Sequence, residues 1–158
     1  MHDREACEFD LNGKRTRLEA ESGATLLAVL RDDLRVLSPK RGCNQGVCGS
    51  CTVMIDGRPQ RACLTLAAGC EGKRVQTIEG FAGDRVMEAL QRSMIVSGGV
   101  QCGFCTSGVL ISAQSLLREN AAPTIEQIQA ALSGNLCRCT GYRKIVDAVV
   151  SAAAELAA

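Results

Sequence analysis

Gly42-Cys43-Asn44-Gln45-Gly46-Val47-Cys48-Gly49-Ser50-Cys51-Thr52-Val53 is the stretch that decides how the rest of the chain is read. It places Cys43, Cys48 and Cys51 in one loop with Gly42, Gly46 and Gly49. A fourth thiol, Cys63, follows after 11 intervening residues. Thiols crowded into one loop can share an inorganic centre, and glycine lets the backbone curl close around it. Structural zinc sites usually pair one C-x2-4-C with a second close pair, and this three-plus-one spacing does not.

C-x4-C-x2-C with a distant fourth cysteine is instead the plant-type spacing for a [2Fe–2S] cluster. Four thiolates on two ferric ions and two sulfides leave a charge of about −2. The loop glycines are therefore expected to let the backbone curl closely around this anion and aim its N–H groups at sulfur, which would help set the reduction potential. A Rieske centre needs two His ligands, and the chain has only His2.

Working outward, short strand-like runs at 6–11 and 14–19 flank Asn12-Gly13, a strong hairpin signal because both turn positions need positive φ. In 24–34, Leu26, Leu27, Leu30 and Leu34 share one helical face, and Pro39 ends regular structure before the cysteine loop. After Cys51, 52–55 reads as a buried strand and Asp56-Gly57 as a second hairpin turn. An apolar strand is expected at 63–67 and a short closing one at 74–78. Residues 1–79 thus read as a β-rich domain with one helix, and 80–83 (Gly-Phe-Ala-Gly) as the joint.

Beyond the joint the apolar period becomes helical. Val86, Leu90, Met94 and Ile95 mark a helix from about Asp84, and Val109, Leu110, Ala113, Leu116 and Leu117 mark a second. Thr124-Ile125-Glu126-Gln127 fits a capping box that opens a third, and Ile145, Val146, Val149 and Val150 mark a fourth. Residues 80–158 read as a four-helix unit. It carries a second quartet: Cys102-x2-Cys105 and Cys137-x-Cys139, with 31 residues between Cys105 and Cys137. Two local pairs on helices suit tetrahedral zinc as well as a second [2Fe–2S] cluster, and spacing alone leaves both open.

Composition narrows the class. Apolar residues are 46% of the 158, but aromatics only 3%, and Trp is absent. Two small domains with such cores would be marginal unaided, and metal centres would supply cross-links. The formal charge of +1, from 18 basic and 17 acidic residues without a basic block, argues against a nucleic-acid surface. No apolar run reaches membrane-spanning length. The first residues lack an apolar signal segment, so a cytoplasmic location is expected. There, clustered cysteines bind metal more often than they form disulfides.

Three motifs, at 42–53, 101–106 (Gln-Cys-Gly-Phe-Cys-Thr) and 134–142 (Gly-Asn-Leu-Cys-Arg-Cys-Thr-Gly-Tyr), together resemble the iron–sulfur small subunit of the molybdenum hydroxylases. This is the xanthine dehydrogenase/aldehyde oxidase family, with bacterial relatives such as carbon monoxide dehydrogenase, 4-hydroxybenzoyl-CoA reductase and the quinoline and nicotine oxidoreductases. The resemblance covers nearly the whole chain in order. It implies an α+β protein: an N-terminal β-grasp, plant-type ferredoxin-like domain followed by a C-terminal four-helix domain, each with one [2Fe–2S] cluster. Cys43, Cys48, Cys51 and Cys63 would hold the first cluster, and Cys102, Cys105, Cys137 and Cys139 the second. It further implies that Gln101 and Cys139 approach a molybdopterin, in the cytosine dinucleotide form, on a large subunit. Electrons would pass through both clusters to FAD on a medium subunit, in a dimer of heterotrimers. The substrate, bound on another chain, would be an aromatic N-heterocycle, a purine, an aldehyde or a related small molecule.

One departure is Ser107, where the family often has Pro, a residue suited to an early helix position; a small change in stability is expected. Cys7 and Cys70, left over from the eight ligands, read as buried inert thiols. Arg138, Arg143 and Lys144 would be solvated charges, or balance the anionic centre or a partner. Tyr142 reads as a packing residue rather than a relay, and His2 carries no role. A free-standing ferredoxin-type carrier is the rival reading. It would not need the helical domain, and would usually be more acidic than the net charge of about −3 that two clusters at about −2 each leave here. A metal-sensing regulator lacks any basic recognition helix.

Overall fold

Two hairpins and one inserted strand build the first half of the chain. The computed structural model describes residues 3–158, so His2 lies outside the described residues. Strand β1 (Arg4–Leu11) pairs antiparallel with β2 (Lys14–Glu21), from Leu11↔Lys14 out to Arg4↔Glu21. Asn12 and Gly13 adopt φ of 55° and 82°, the two positive values that a primed two-residue turn requires. β3 (Thr52–Ile55) and β4 (Arg58–Arg61) form the second hairpin, turned by Asp56 and Gly57 at φ 48° and 80°. β5 (Arg74–Gln76) enters between the hairpins, parallel to β1 and antiparallel to β3, giving the order β2-β1-β5-β3-β4. Helix α1 (Leu26–Ala28), capped by the Thr25 hydroxyl, continues as a π-helical turn over Val29–Asp33. Its Leu26, Leu27 and Leu30 are buried with Cys7, Phe9 and Val75 of the sheet. This is the β-grasp arrangement.

The expected strand at 63–67 does not form. The segment makes one isolated bridge, Thr25↔Leu66, and its carbonyls and amides serve the start of α1 instead: Leu26 N–H donates to Thr65 and Ala67 N–H to Ala24. Leu64 and Leu66 are exposed, so their apolar character does not report a sheet core. The strand present is β4, Arg-Pro-Gln-Arg, polar and on the sheet edge, where proline is tolerated because no ladder donor is needed.

The second half is four helices: α2 (Arg85–Val96), α3 (Thr106–Glu119), α4 (Ile125–Leu132) and α5 (Arg143–Ala157). Asp84 caps α2 through the Met87 amide, and the capping box expected at α4 is present, with Thr124 and Gln127 serving each other's backbone. Met87, Leu90 and Met94 fill the core from α2 with Val109 and Ile111 of α3 and Ile145 of α5. Ile95 and Val150, expected on the buried faces, are exposed, because the stripe runs through Met87 and Ala148 instead.

The two halves share a wall. All four residues of β3 are buried. Val53 and Ile55 join the sheet core, while Met54, on the other face, joins the helical core against α3. A strand covered on both faces reads as a continuous apolar run, which is what 52–55 shows. Among the described residues, no helix is long and apolar enough to cross a membrane.

Candidate metal centres

The first four thiols come from the loop between α1 and β3 and from the turn after β4. Cys51 and Cys63 are buried, and Cys43 and Cys48 half-buried. The backbone N–H groups of Cys48 and Gln45 donate to Cys43 Sγ at 3.3 and 3.4 Å and draw that thiol down to about 6. Burial pushes Cys51 up to about 11. Backbone N–H groups of the loop, those of Cys48 and Gln45, thus reach sulfur, and the glycines act by making room. A Cβ on Gly42 would sit 2.8 Å from Cys48 Sγ, and one on Gly46, at φ 75°, would sit 2.4 Å from Leu64 Cδ1. Gly49 serves the contact with the second half.

The second four thiols come from the start of α3 and from the loop between α4 and α5. Cys105, at the N-cap of α3, is buried, and burial pushes its thiol up to about 12. Cys137 is half-buried, while Cys102 and Cys139 are exposed with their sulfurs 3.4 Å apart. Burial pushes Cys137 up, but the Thr140 hydroxyl, 3.1 Å from its sulfur, and nearby N–H groups outweigh that and hold it low. The Phe104 N–H lowers Cys102, and the facing Cys102 thiol raises Cys139. Tyr142, held at φ 69°, accepts the Cys137 N–H on its hydroxyl at 3.0 Å, so the only tyrosine props this loop. Gln101 is exposed on the same lip as Cys102.

In the second set the Cys102 and Cys139 sulfurs meet at 3.4 Å, and the influence of one thiol on another's proton links Cys43 with Cys48, Cys51 with Cys63 and Cys105 with Cys137. Two pairs per set suit two metal ions better than one. The raised Cys51 and Cys105 thiols must lose protons before they ligate, so metal uptake there releases protons. Cys7 and Cys70 are fully buried in the sheet core, and all ten cysteines are free. Among the described residues, Thr106 Oγ1, next to Cys105, is a buried side-chain hydroxyl with no protein partner.

The two loops touch directly. Leu136 N–H donates to the Cys48 carbonyl at 2.8 Å. Arg61 donates to the Gly134 carbonyl at 2.6 Å and to Thr52 Oγ1 at 2.5 Å. The Asn135 side chain, 2% exposed, donates to the Gly49 carbonyl at 3.2 Å and accepts from Ser112 Oγ at 2.8 Å. Cβ atoms on Gly49 and Gly108 would fall 2.2 Å from Gly134 O and 2.3 Å from Gly49 O, so the backbones are in contact. Ser107 Oγ adds a bond to the Ser38 carbonyl at 2.7 Å, a link that proline could not make. Arg61 carried no signal in the sequence, and Asn135 stood there only as one letter of the 134–142 motif, without a role of its own.

A 2Fe-2S iron-sulfur cluster binding domain matches residues 7–97, and a [2Fe-2S] binding domain matches 77–150. The nicotine 6-hydroxylase small subunit of Paenarthrobacter nicotinovorans is 44% identical over 98% of this chain and 93% of its own length. The xanthine dehydrogenase iron-sulfur-binding subunit of Escherichia coli O157:H7 is 44% identical over 90% of this chain and 91% of its own. The crystal structure of quinoline 2-oxidoreductase from Pseudomonas putida 86 superposes with a TM-score of 0.91 at 44% identity, covering 98% of this chain and 96% of the matched one. With both halves matched in order and at this identity, the chain belongs to the [2Fe–2S] iron–sulfur small subunits of the molybdenum hydroxylase family.

Proposed function

We propose that this chain is the electron-transfer subunit of a molybdenum hydroxylase, and that its eight paired thiols hold two [2Fe–2S] clusters. Each cluster, when bound, accepts and releases one electron. Cys43, Cys48, Cys51 and Cys63 hold the first, and Cys102, Cys105, Cys137 and Cys139 the second. We place the domain division at 79/80, with one cluster in each part. The observation that carries this reading is the approach of Cys102 to Cys139 in one set and of two backbone N–H groups to Cys43 in the other, together with the direct Leu136 N–H to Cys48 carbonyl bond. That bond leads from a ligand of one set to the residue beside a ligand of the other, so the chain's backbone joins the two sites.

The fit to a cluster rests on the protein's own groups. N–H donors converge on Cys43, glycine backbones leave space in the first loop, and the orphan Thr106 hydroxyl would find an acceptor in sulfur. A free-standing carrier is disfavoured: it has no use for a second set whose Cys102, Cys139 and Gln101 lie open at the surface. That lip is where a molybdopterin on a large subunit would be met, with Gln101 and Cys139 as its contacts. A medium FAD subunit would accept electrons beyond the first set, the pterin being the cytosine dinucleotide form and the assembly a cytoplasmic dimer of heterotrimers. Relatives are named for nicotine, for xanthine and for aldehydes, which supports an N-heterocycle, a purine, an aldehyde or a related small molecule as the substrate, bound by the large subunit.

Replacing Cys139 by alanine in the assembled complex tests the reading. Turnover with an acceptor that works at the flavin end should fall to background, and the second cluster's signal should be lost while the first remains. Undiminished turnover would refute the route.

A further inference from the structure

We infer that Asn135 is a positioning residue that holds the two metal-binding loops at a fixed separation. The inference rests on the two-cluster reading above. Asn135 touches no thiol. Its amide is nevertheless the one buried polar side chain of the Gly134–Tyr142 loop, and it is engaged on both ends. Nδ2 donates to the carbonyl of Gly49, which follows Cys48, and Oδ1 accepts from Ser112 on α3. The next residue, Leu136, donates its N–H to the Cys48 carbonyl, and Cys137 follows directly. The Asn135 side chain therefore ties together three elements: the first thiol loop, the second thiol loop and α3.

The surroundings show why a side chain is needed here. Gly49, Gly108 and Gly134 bring three backbones together with no Cβ between them, so no apolar side chain can clamp the joint. The Gly49 carbonyl also accepts from the Thr52 amide and hydroxyl, which fixes it to β3. Arg61 secures Gly134 from the other side. At this joint the backbones are held by hydrogen bonds, and among the described residues Asn135 supplies the one buried side-chain donor that reaches the first loop from the helical half. An Asp at this position would keep the acceptor for Ser112 and lose the donor. An Ala would lose both: the Gly49 carbonyl would keep only its Thr52 donors, and the Ser112 hydroxyl would lose its acceptor.

The test uses the full chain with its iron centres, reduced with dithionite. Two measurements read the joint without reading catalysis: magnetic interaction between the reduced centres by EPR, and hydrogen exchange of the Leu136 amide. In the wild type, two interacting signals and a protected amide are expected. Asn135→Ala should keep both signals, weaken their interaction and speed Leu136 exchange about tenfold or more, since two buried hydrogen bonds beside that amide are lost. Ser112→Ala, which removes only the bond from α3 to the Asn135 Oδ1, should give the same change in smaller measure. Unaltered interaction and exchange in Asn135→Ala would overturn the inference. If Asn135→Ala does not assemble its centres, Ser112→Ala decides: a change supports the inference, and wild-type behaviour overturns it. A wild type with a single iron–sulfur signal would sink the two-cluster reading and take the inference with it.

Discussion

The two thiol sets solve one ligand problem in opposite ways. The first wraps a backbone loop around its site, with amides donating to Cys43 and with Cys51 and Cys63 buried against the sheet. The second is assembled from the ends of helices, with Cys105 buried at the foot of α3 and Cys102 and Cys139 left open. The difference teaches that enclosure and access are divided between the halves. The sheet half covers more of its thiols, whereas the helical half leaves one edge of its set exposed. The strand β3, buried on both faces, lets these contrasting sites share one rigid wall.

Iron removal should separate the two most strongly. Metal-binding free energy is folding free energy where a site does not pre-exist in the unfolded chain, on the order of 10 kcal/mol for a structural metal. Under a chelator, the signal of the exposed set should disappear first and that of the enclosed set later, with the unfolding temperature dropping in two steps. Equal loss rates would show that the difference in exposure is not felt.

Met54→Ala comes next. It opens a cavity in the wall and should cost about 2–5 kcal/mol. Because Val53 and Met54 face different cores of one strand, calorimetry should show both halves melting together, shifted as a unit. A shift confined to a separate helical transition would break the picture of a shared wall.

Gly108→Ala places a methyl group 2.3 Å from the Gly49 carbonyl. Overpacking of this kind costs about 1–3 kcal/mol, and denaturant unfolding should register it although the substitution improves helix propensity. A stabilised variant would mean that the joint gives way easily.

How much of this was legible in the sequence follows from what each signal depends on. The hairpins showed because Asn12-Gly13 and Asp56-Gly57 encode their own backbone angles. The capping box at Thr124 and the first thiol set are likewise local patterns. The second set was ambiguous because its ligand pairs are 31 residues apart and meet only through the packing of α3 against α4. The strand at 63–67 was misread because Leu64 and Leu66 are apolar for reasons other than a sheet core; Leu64 lies over Gly46. β4 was missed because an edge strand of Arg, Pro, Gln and Arg has no apolar alternation to show. The joint of Gly49, Gly108, Asn135 and Arg61 was invisible, since it exists only where two loops distant in sequence meet.

The smallest expected effect concerns pH and only the helical half. Burial raises the Asp84 carboxyl, but the Met87 amide and the Arg118 guanidinium outweigh it and hold the group below the usual carboxylate range. A carboxyl depressed on folding contributes stability that is complete above its unfolded value near 4 and is lost as pH falls through the folded value. Asp84→Asn keeps a good helix cap and loses the ion pair with an exposed Arg118, so it should cost under about 1 kcal/mol at neutral pH. The difference from wild type should shrink on acidification below about pH 4. A difference that widened there would reverse the assigned direction.

Iron and labile-sulfide analysis of the purified chain, with EPR of the reduced form, tests the central claim most directly. Two occupied sets give about four iron and four sulfide per chain and two distinct signals. A colourless protein holding only zinc, or one with half that iron and a single signal, would contradict it.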